Sequence, residues 1–316
     1  METESATAKK RKTALVLSGG GARGAYEVGV VKALTRQGIN FDLVIGTSIG
    51  AINAAFVAQG DMERWQNVWY RLRTSDIYHG LSARRIVQLI RGGCMGILDA
   101  TPLESVLRAE LDLQIIKKGT TTAGWCITDL CSLETLLVTT DDLLCTEEFI
   151  DTLMATSAIP LFFPPRSFRG KGLFIDGGIV RNTPVKFALE LGVEEVYTVL
   201  LNSVAAETRP TNLMESFTRT VELILDSSAR NAISFANFYN TVLSKEIAEG
   251  NSVPRCLKLH VLKPRETLSA SMMEFDPDQS RTLIEVGYRD TLTHLERAEF
   301  ADCRCLSEEK VSQYWF

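Results

Sequence analysis

Two apolar runs that each break into glycines and continue as helix constrain this chain more than any other feature. The first is ALVLSGGGARGAYEVGVVKAL (residues 14–34), where Gly19, Gly21 and Gly24 stand in G-x-G-x-x-G order. The second is FDLVIGTSIGAINAAFVAQ (residues 41–59), where Gly46-Thr47-Ser48-Ile49-Gly50 joins a short apolar run to an alanine-rich one. A strand, a tight glycine turn and a helix, repeated in this way, predict neighbouring parallel strands linked by crossing helices.

A glycine loop ahead of a helix presents unpaired backbone N–H groups to an anion. A dinucleotide pyrophosphate fits such a loop, and so does the oxyanion of an attacked ester. The dinucleotide reading also requires an acidic residue about 20 positions on, at the far end of the next strand. Here the only acid of the 41–45 strand is Asp42, at its beginning, and the strand end delivers Ser48 instead. G-x-S-x-G between a strand and a helix is the pattern of a nucleophile elbow, in which Gly46 and Gly50 permit the turn that exposes a serine hydroxyl.

The full chain has 316 residues, 45% of them hydrophobic, enough for one large α/β domain or two smaller ones. Its net charge of −5, with no arginine-rich or aromatic-interleaved stretch, argues against nucleic acid as a partner. Seven cysteines form no regular framework, and Cys303 and Cys305 lack nearby histidines, so reduced thiols without a metal site are expected. Residues 1–12 form a polar tail ending in Lys9, Lys10, Arg11 and Lys12. Only four apolar residues then precede the first serine and glycines, too few for a signal-peptide core. The uncharged stretch 43–60 reads as buried strand, turn and helix rather than a span. A cytoplasmic protein is the expectation, with peripheral contact with a membrane surface as an addition to it.

Farther along, 62–111 reads as a helical tract broken at Gly80, Gly92, Gly93 and Gly96. Thr101-Pro102-Leu103-Glu104 predicts a helix start with Thr101 as N-cap and Glu104 completing a capping box. Within the tract, SARRIVQLIR (82–91) sets Ile86, Leu89 and Ile90 on one side beside Arg84, Arg85 and Arg91. This is expected as a solvated helix packed on its own core, with a membrane surface as the alternative partner. Residues 124–129 and 134–140 predict paired strands, and a helix from Thr146 stops at SAIPLFFPP, because proline disfavours helical geometry in the residue before it. A strand over 173–175 ends in Asp176-Gly177-Gly178, a helix covers 184–191 and a strand 195–201. From 209 the pattern is helical, interrupted by a strand at 256–262 and closed by a helix over 279–299. The expected organisation is a catalytic core over 13–204 and a mainly helical extension over 205–316 packed on it.

A serine hydroxyl is a poor nucleophile until a base accepts its proton. The chain has three histidines, and none is placed for a Ser-His-Asp triad. His79 lies in the helical tract, His260 in mid-strand and His294 in mid-helix. Asp176 is better placed, at a strand end before two glycines that let the chain turn sharply. A carboxylate serves as the base if the proton moves in step with attack in a site with little water. In isolation, Asp-Gly-Gly is equally a tight turn.

LVLSGGGARGAYEVGVVKAL, GTSIGAINAA, ATSAIPLFFPP and DGGIVRNTPV, in that order between residues 15 and 185, together resemble the patatin-like phospholipase family, its soluble bacterial-type members above all. SRTLIEVGYRDTLTHL near the C-terminus adds to the likeness. The resemblance implies a three-layer α/β/α fold with a mostly parallel sheet, hydrolysis of phospholipid or lysophospholipid acyl esters, and a Ser/Asp dyad needing neither metal nor other cofactor. Carried over motif by motif, Ser48 is the nucleophile and Asp176, followed by Gly177 and Gly178, the general base. Gly19, Gly20, Gly21, Arg23 and Gly24 make the oxyanion loop, with the amides of Gly20 and Gly21 as donors. Arg23 either attracts a lipid phosphate or holds the loop by pairing with a carboxylate. Two alternatives stay open: acyl transfer to an acceptor other than water, and a lipid-binding regulatory module without turnover.

Overall fold

The structure is a computed structural model that describes residues 12–201, 209–249, 256–268 and 270–299. Most of the basic tail, with Cys303 and Cys305, lies outside the described residues.

The chain begins with β1 (Thr13–Leu17), whose five residues are all buried, and turns through the glycine loop into α1 (Ala25–Arg36). Next come β2 (Leu43–Gly46) and α2 (Ile49–Gln59). The helical tract resolves into α3 (Met62–Trp69), α4 (Ala83–Ile90), α5 (Thr101–Glu110) and α6 (Leu113–Lys118). A hairpin of β3 (Thr122–Asp129) and β4 (Thr135–Thr139) leads to α7 (Thr146–Thr156), then β5 (Arg166–Phe168) and β6 (Lys171–Asp176). Two short helices, α8 (Gly178–Arg181) and α9 (Val185–Glu190), precede β7 (Glu195–Val199). The described C-terminal part comprises α10 (Leu213–Ala248), β8 (Lys258–Leu262) and α11 (Pro277–Glu299).

One eight-stranded sheet runs in the order β5-β6-β3-β2-β1-β7-β8, with β4 on β3. Strands β3, β2, β1, β7 and β8 are parallel, whereas β4 and β6 are antiparallel to β3. The period-two alternation of strand side chains decides the layers. Leu15, Leu17 and Val44 enter a large core with α1, α2, α3, α7 and α11. Ala14, Val16, Leu43 and Ile45 face the opposite way, against Val185 and Ala188 of α9 and Ala236 of α10. The result is a three-layer α/β/α arrangement. The C-terminal part enters both cores and contributes β8 to the common sheet. Its α11 lies against α1 nearly backbone to backbone: a Cβ on Gly29 or Gly287 would collide with the Ile284 or Tyr26 carbonyl oxygen.

Two local expectations need correction. Ala100, not Thr101, is the N-cap of α5, because Asp99 Oδ1 accepts both the Thr101 amide (3.0 Å) and hydroxyl (2.6 Å). A carboxylate is the stronger acceptor, and Glu104 is drawn away to Arg108 and Arg166. Nor is α4 seated on the core: none of its described residues is fully buried, and Ile90 is 80% exposed.

Beneath the glycine loop, the fully buried Asn53 uses both ends of its amide. Its Nδ2 donates to the Gly24 carbonyl (3.0 Å) and to Glu27 Oε2 (2.7 Å). Its Oδ1 accepts the indole N–H groups of Trp65 (3.0 Å) and Trp69 (3.1 Å). Burial drives the Glu27 carboxyl well above the usual carboxylate range, against the lowering effect of hydrogen bonds from Asn53 and the Ser18 backbone. Asn53→Leu removes every one of these bonds at once, leaves two indole donors unpaired and takes one of its partners from the Glu27 carboxyl. A loss of about 3 kcal/mol or more is expected in urea denaturation, at 1–3 kcal/mol per orphaned group, whereas Glu27→Gln, which keeps an acceptor for Asn53, loses less. Equal stability of Asn53→Leu and the parent would show that the network carries no weight.

Candidate active site

The β2 strand stops at Gly46 and α2 starts at Ile49, leaving Thr47 and Ser48 to make the turn. Ser48 is held at φ 56°, ψ −127°, backbone that a non-glycine residue enters only when its surroundings impose it. The surroundings here are specific. The Ser48 amide donates to Thr156 Oγ1 (3.0 Å), the Thr47 amide to the Leu17 carbonyl (3.2 Å), and Thr47 Oγ1 to the Arg181 carbonyl (3.0 Å). A Cβ on Gly46 would overlap the Gly50 carbonyl, and one on Gly50 would lie 2.5 Å from the Leu17 carbonyl oxygen. Both glycines flanking the serine are therefore required by close approach.

Asp176 reaches the serine by an unexpected route. The β3 strand is longer than β2: Gly46, the last residue of β2, is level with Trp125, and β3 continues to Asp129. The β6 strand pairs with this overhang in the antiparallel sense, Phe174 with Asp129, Ile175 with Thr128 and Asp176 with Ile127. It therefore runs back toward the edge where Ser48 sits and ends there. The Asp176 amide donates to the Ala158 carbonyl (3.0 Å), and the Gly178 amide donates to Asp176 Oδ1 (2.7 Å). Asp176 as a residue is 2% exposed. Burial pushes its pKa up to about 7, against the lowering effect of hydrogen bonds from the Ser48 hydroxyl and the Gly178 amide.

Each donor of the glycine loop has a different fate. The Gly19 amide is taken by Asn182 Oδ1 (2.8 Å), and the Asn182 side chain in turn donates to the Gly19 (3.3 Å) and Leu225 (3.4 Å) carbonyls. The Ala22 amide bonds the Met272 carbonyl (3.0 Å). Between them, the amides of Gly20 and Gly21 engage no acceptor among the described residues. Ser18 Oγ and Thr183 Oγ1, 2.8 Å apart, tie the end of β1 to the segment after α8. Arg23 turns away from the loop's anion side: its guanidinium meets Glu222 of α10 at 2.6 Å and the Ala270 carbonyl at 2.9 Å. Of its two expected roles, the geometry fits loop-holding through a carboxylate.

Four of these partners escape sequence reasoning. Asn182 and Thr183 sit inside DGGIVRNTPV and Thr156 inside ATSAIPLFFPP, so position near a motif was the available signal. Glu222 offers none, being one of several acids in a long helix. The histidines stay apart from the serine. His260, on β8, lies three inter-strand steps or about 14 Å from β2, and it bonds Glu195 (3.0 Å) and stacks on Tyr197 of β7. His294 packs beside His260, and His79 pairs through its backbone with Asp99. No histidine is among the groups acting on Asp176. Among the described residues, no cluster of three or more His, Cys, Asp or Glu could hold a metal ion, and no helix is long and apolar enough to cross a membrane.

Comparison with known proteins gives a consistent result. The cGAMP-activated phospholipase of Escherichia coli (strain TW11681) is 24% identical over 327 residues, covering 89% of this chain and 88% of that protein. Lysophospholipase nte1 of Aspergillus terreus is 57% identical over 49 residues, which is 16% of this chain and only 3% of the relative. Among solved structures, VipD from Legionella pneumophila aligns with a TM-score of 0.47 at 16% identity, over 92% of this chain and 67% of that one. The family profile described as Patatin-like phospholipase matches residues 15–189, more than half the chain, and the protein therefore belongs to the patatin-like phospholipases, a family of lipid hydrolases.

Proposed function

We propose that the protein cleaves fatty-acyl esters of phospholipids or lysophospholipids through a dyad of Ser48 and Asp176, with the glycine loop as oxyanion hole. The observation that carries this reading is the serine hydroxyl, on a strained elbow, facing a buried carboxylate whose pKa lies near neutrality. A base is most effective when its pKa is close to the working pH, and burial brings an aspartate there. As Ser48 Oγ attacks the ester carbonyl, its proton passes to Asp176. The negative charge that develops on the carbonyl oxygen is met by the unengaged amides of Gly20 and Gly21 at the start of the α1 segment. Collapse expels the lipid alcohol, which takes the proton from Asp176, and leaves an acyl ester on Ser48. Water then attacks that ester while Asp176 again accepts a proton, releasing the fatty acid and restoring the serine.

In this scheme Gly19, Asn182, Arg23 and Glu222 position the loop rather than touch the substrate. Gly24 permits the loop's close packing, since a Cβ there would lie 2.6 Å from Ile49 Cγ1. Gly177 and Gly178 give the turn that keeps the Asp176 carboxylate in place.

With a chromogenic medium-chain ester, Ser48→Ala is expected to abolish turnover while circular dichroism stays unchanged. Asp176→Asn keeps the side chain's size but removes the acceptor, and turnover is expected to fall by roughly 10² or more. Replacing His79, His260 and His294 together should leave turnover within a few-fold of the parent. Loss of activity in the histidine variant, with its fold intact, would sink the dyad.

The pKa of Asp176 gives two pH signatures. Because the base must be ionised, kcat/KM is expected to fall with unit slope as pH drops below about 7. Stability runs the other way. The folded pKa, about 7, lies above the ordinary value of 3.8, so between these two the folded state holds a proton that the unfolded state has lost. Asp176 therefore detracts from stability increasingly through that window and fully above it. The melting temperature of Asp176→Asn should exceed that of the parent at pH 8, with the gap closing toward pH 4. A gap that is constant with pH would contradict the shifted carboxyl.

A further inference from the structure

We infer that α4 and the loop beside it form a docking surface for an anionic lipid bilayer, joined by backbone pairing to the strand end of the site that the proposed hydrolase reading assigns. The first observation is exposure. Leu81, Ile86, Val87 and Ile90 are 55, 42, 45 and 80% exposed, and Met95 and Leu161 are 56 and 61% exposed. At 100° per residue, Ile86, Val87, Leu89 and Ile90 fall in one arc of the helix, so this is a continuous apolar face and not scattered single residues.

Charge identifies the occupant. Between Asp76 and Asp99 the sequence has no acidic residue and carries Arg84, Arg85 and Arg91, within a chain of net charge −5. An apolar arc with the exposed Arg91 just past its end, on a helix that seats nothing in the core and in a stretch without acidic residues, suits an interface of acyl chains beneath anionic headgroups. Arg91 is exposed, whereas Arg85 has a structural task. Arg85 Nε and Nη2 donate to the carbonyls of Gly96 and Leu98, each at 2.9 Å.

Those bonds connect the surface to the candidate site. The Ile97 and Leu98 amides donate to the carbonyls of Leu161 (2.9 Å) and Phe162 (2.8 Å). Three residues before Leu161, the Ala158 carbonyl accepts the Asp176 amide. The exposed apolar face is thus joined through one strip of backbone pairing to the strand end that carries Asp176. Protein docked through α4 would bring that strip against the bilayer, where an acyl ester must leave the lipid to reach Ser48.

The test separates docking from chemistry. Ser48→Ala protein is co-sedimented with vesicles of phosphatidylcholine alone and of equimolar phosphatidylcholine and phosphatidylglycerol. Binding should favour the anionic vesicles and weaken with salt. Ile86→Gln/Ile90→Gln, made in the Ser48→Ala background, changes only exposed positions and should bind at least roughly tenfold more weakly. The same pair in the active enzyme should lower turnover of vesicle lipid by a similar factor and leave turnover of a soluble short-chain ester unchanged. Equal vesicle binding by parent and variant overturns the docking surface, as does binding that ignores lipid charge. If light scattering shows that the pair breaks a dimer while vesicle binding persists, the face belongs to a second copy and the inference falls. Absence of ester turnover in the parent would instead overturn the hydrolase reading, and the co-sedimentation result would still report on docking.

Discussion

The contact between the Ser48 hydroxyl and the Asp176 carboxylate lies where almost no water reaches, and it depends on two strands of opposite sense meeting at one edge of the sheet. Ser48 arrives on β2, parallel to β3, and Asp176 arrives on β6, antiparallel to it. They converge because β3 extends past the end of β2 and offers its overhang to β6. Burial then does two opposing things. It raises the energy of the ionised carboxylate, which detracts from stability, and by the same shift brings the group into the range where it can exchange a proton near neutral pH. The surrounding α/β/α layers hold a conformation that Ser48 and Asp176 would not adopt by themselves.

The glycine loop illustrates a similar dependence on distant chain. Its G-x-G-x-x-G order supplies backbone that can approach a ligand, yet the loop's shape is imposed from outside. Asn182 fixes the Gly19 amide, Met272 fixes the Ala22 amide, and Glu222 and Ala270 hold Arg23. The ion pair is mostly buried on both sides, and because Glu222 also meets Arg219, it is removal of Glu222 that leaves a buried charge, that of Arg23, without its ionic partner. The C-terminal part, which supplies Glu222, Ala270 and Met272, is thus a component of the candidate site as well as of the sheet.

Much was legible in the sequence because it depends on neighbours along the chain. Strand, glycine turn and helix are local, and so is the steric need for glycine at positions 46 and 50, one side of which comes from within the same five residues. The unbroken apolar runs of residues 14–17 and 43–45 mark strands covered on both faces, while the sorting of their side chains between the two layers comes from the fold. The serine at a strand end and the absence of a well-placed histidine point, in the sequence itself, toward a carboxylate base. Thr101 shows the limit of local reading: its pattern matches a cap, but Asp99 competes for the same hydrogen bonds and prevails.

The sequence by itself determined most of the elements and marked Ser48 and Asp176 as the residues on which the candidate chemistry rests. Tertiary structure alone decided that β6 runs against β3, that the Asp176 carboxyl is desolvated, and that the amides of Gly20 and Gly21 meet no acceptor among the described residues while those of Gly19 and Ala22 do. It also decided that the apolar side of α4 faces outward. The physical reason is common to all four. Strand direction, desolvation, hydrogen-bond vacancy and exposure are set by groups from other elements, some about 45 positions away and others far more, or by their absence, and a local pattern carries no record of which distant groups will occupy the space around it.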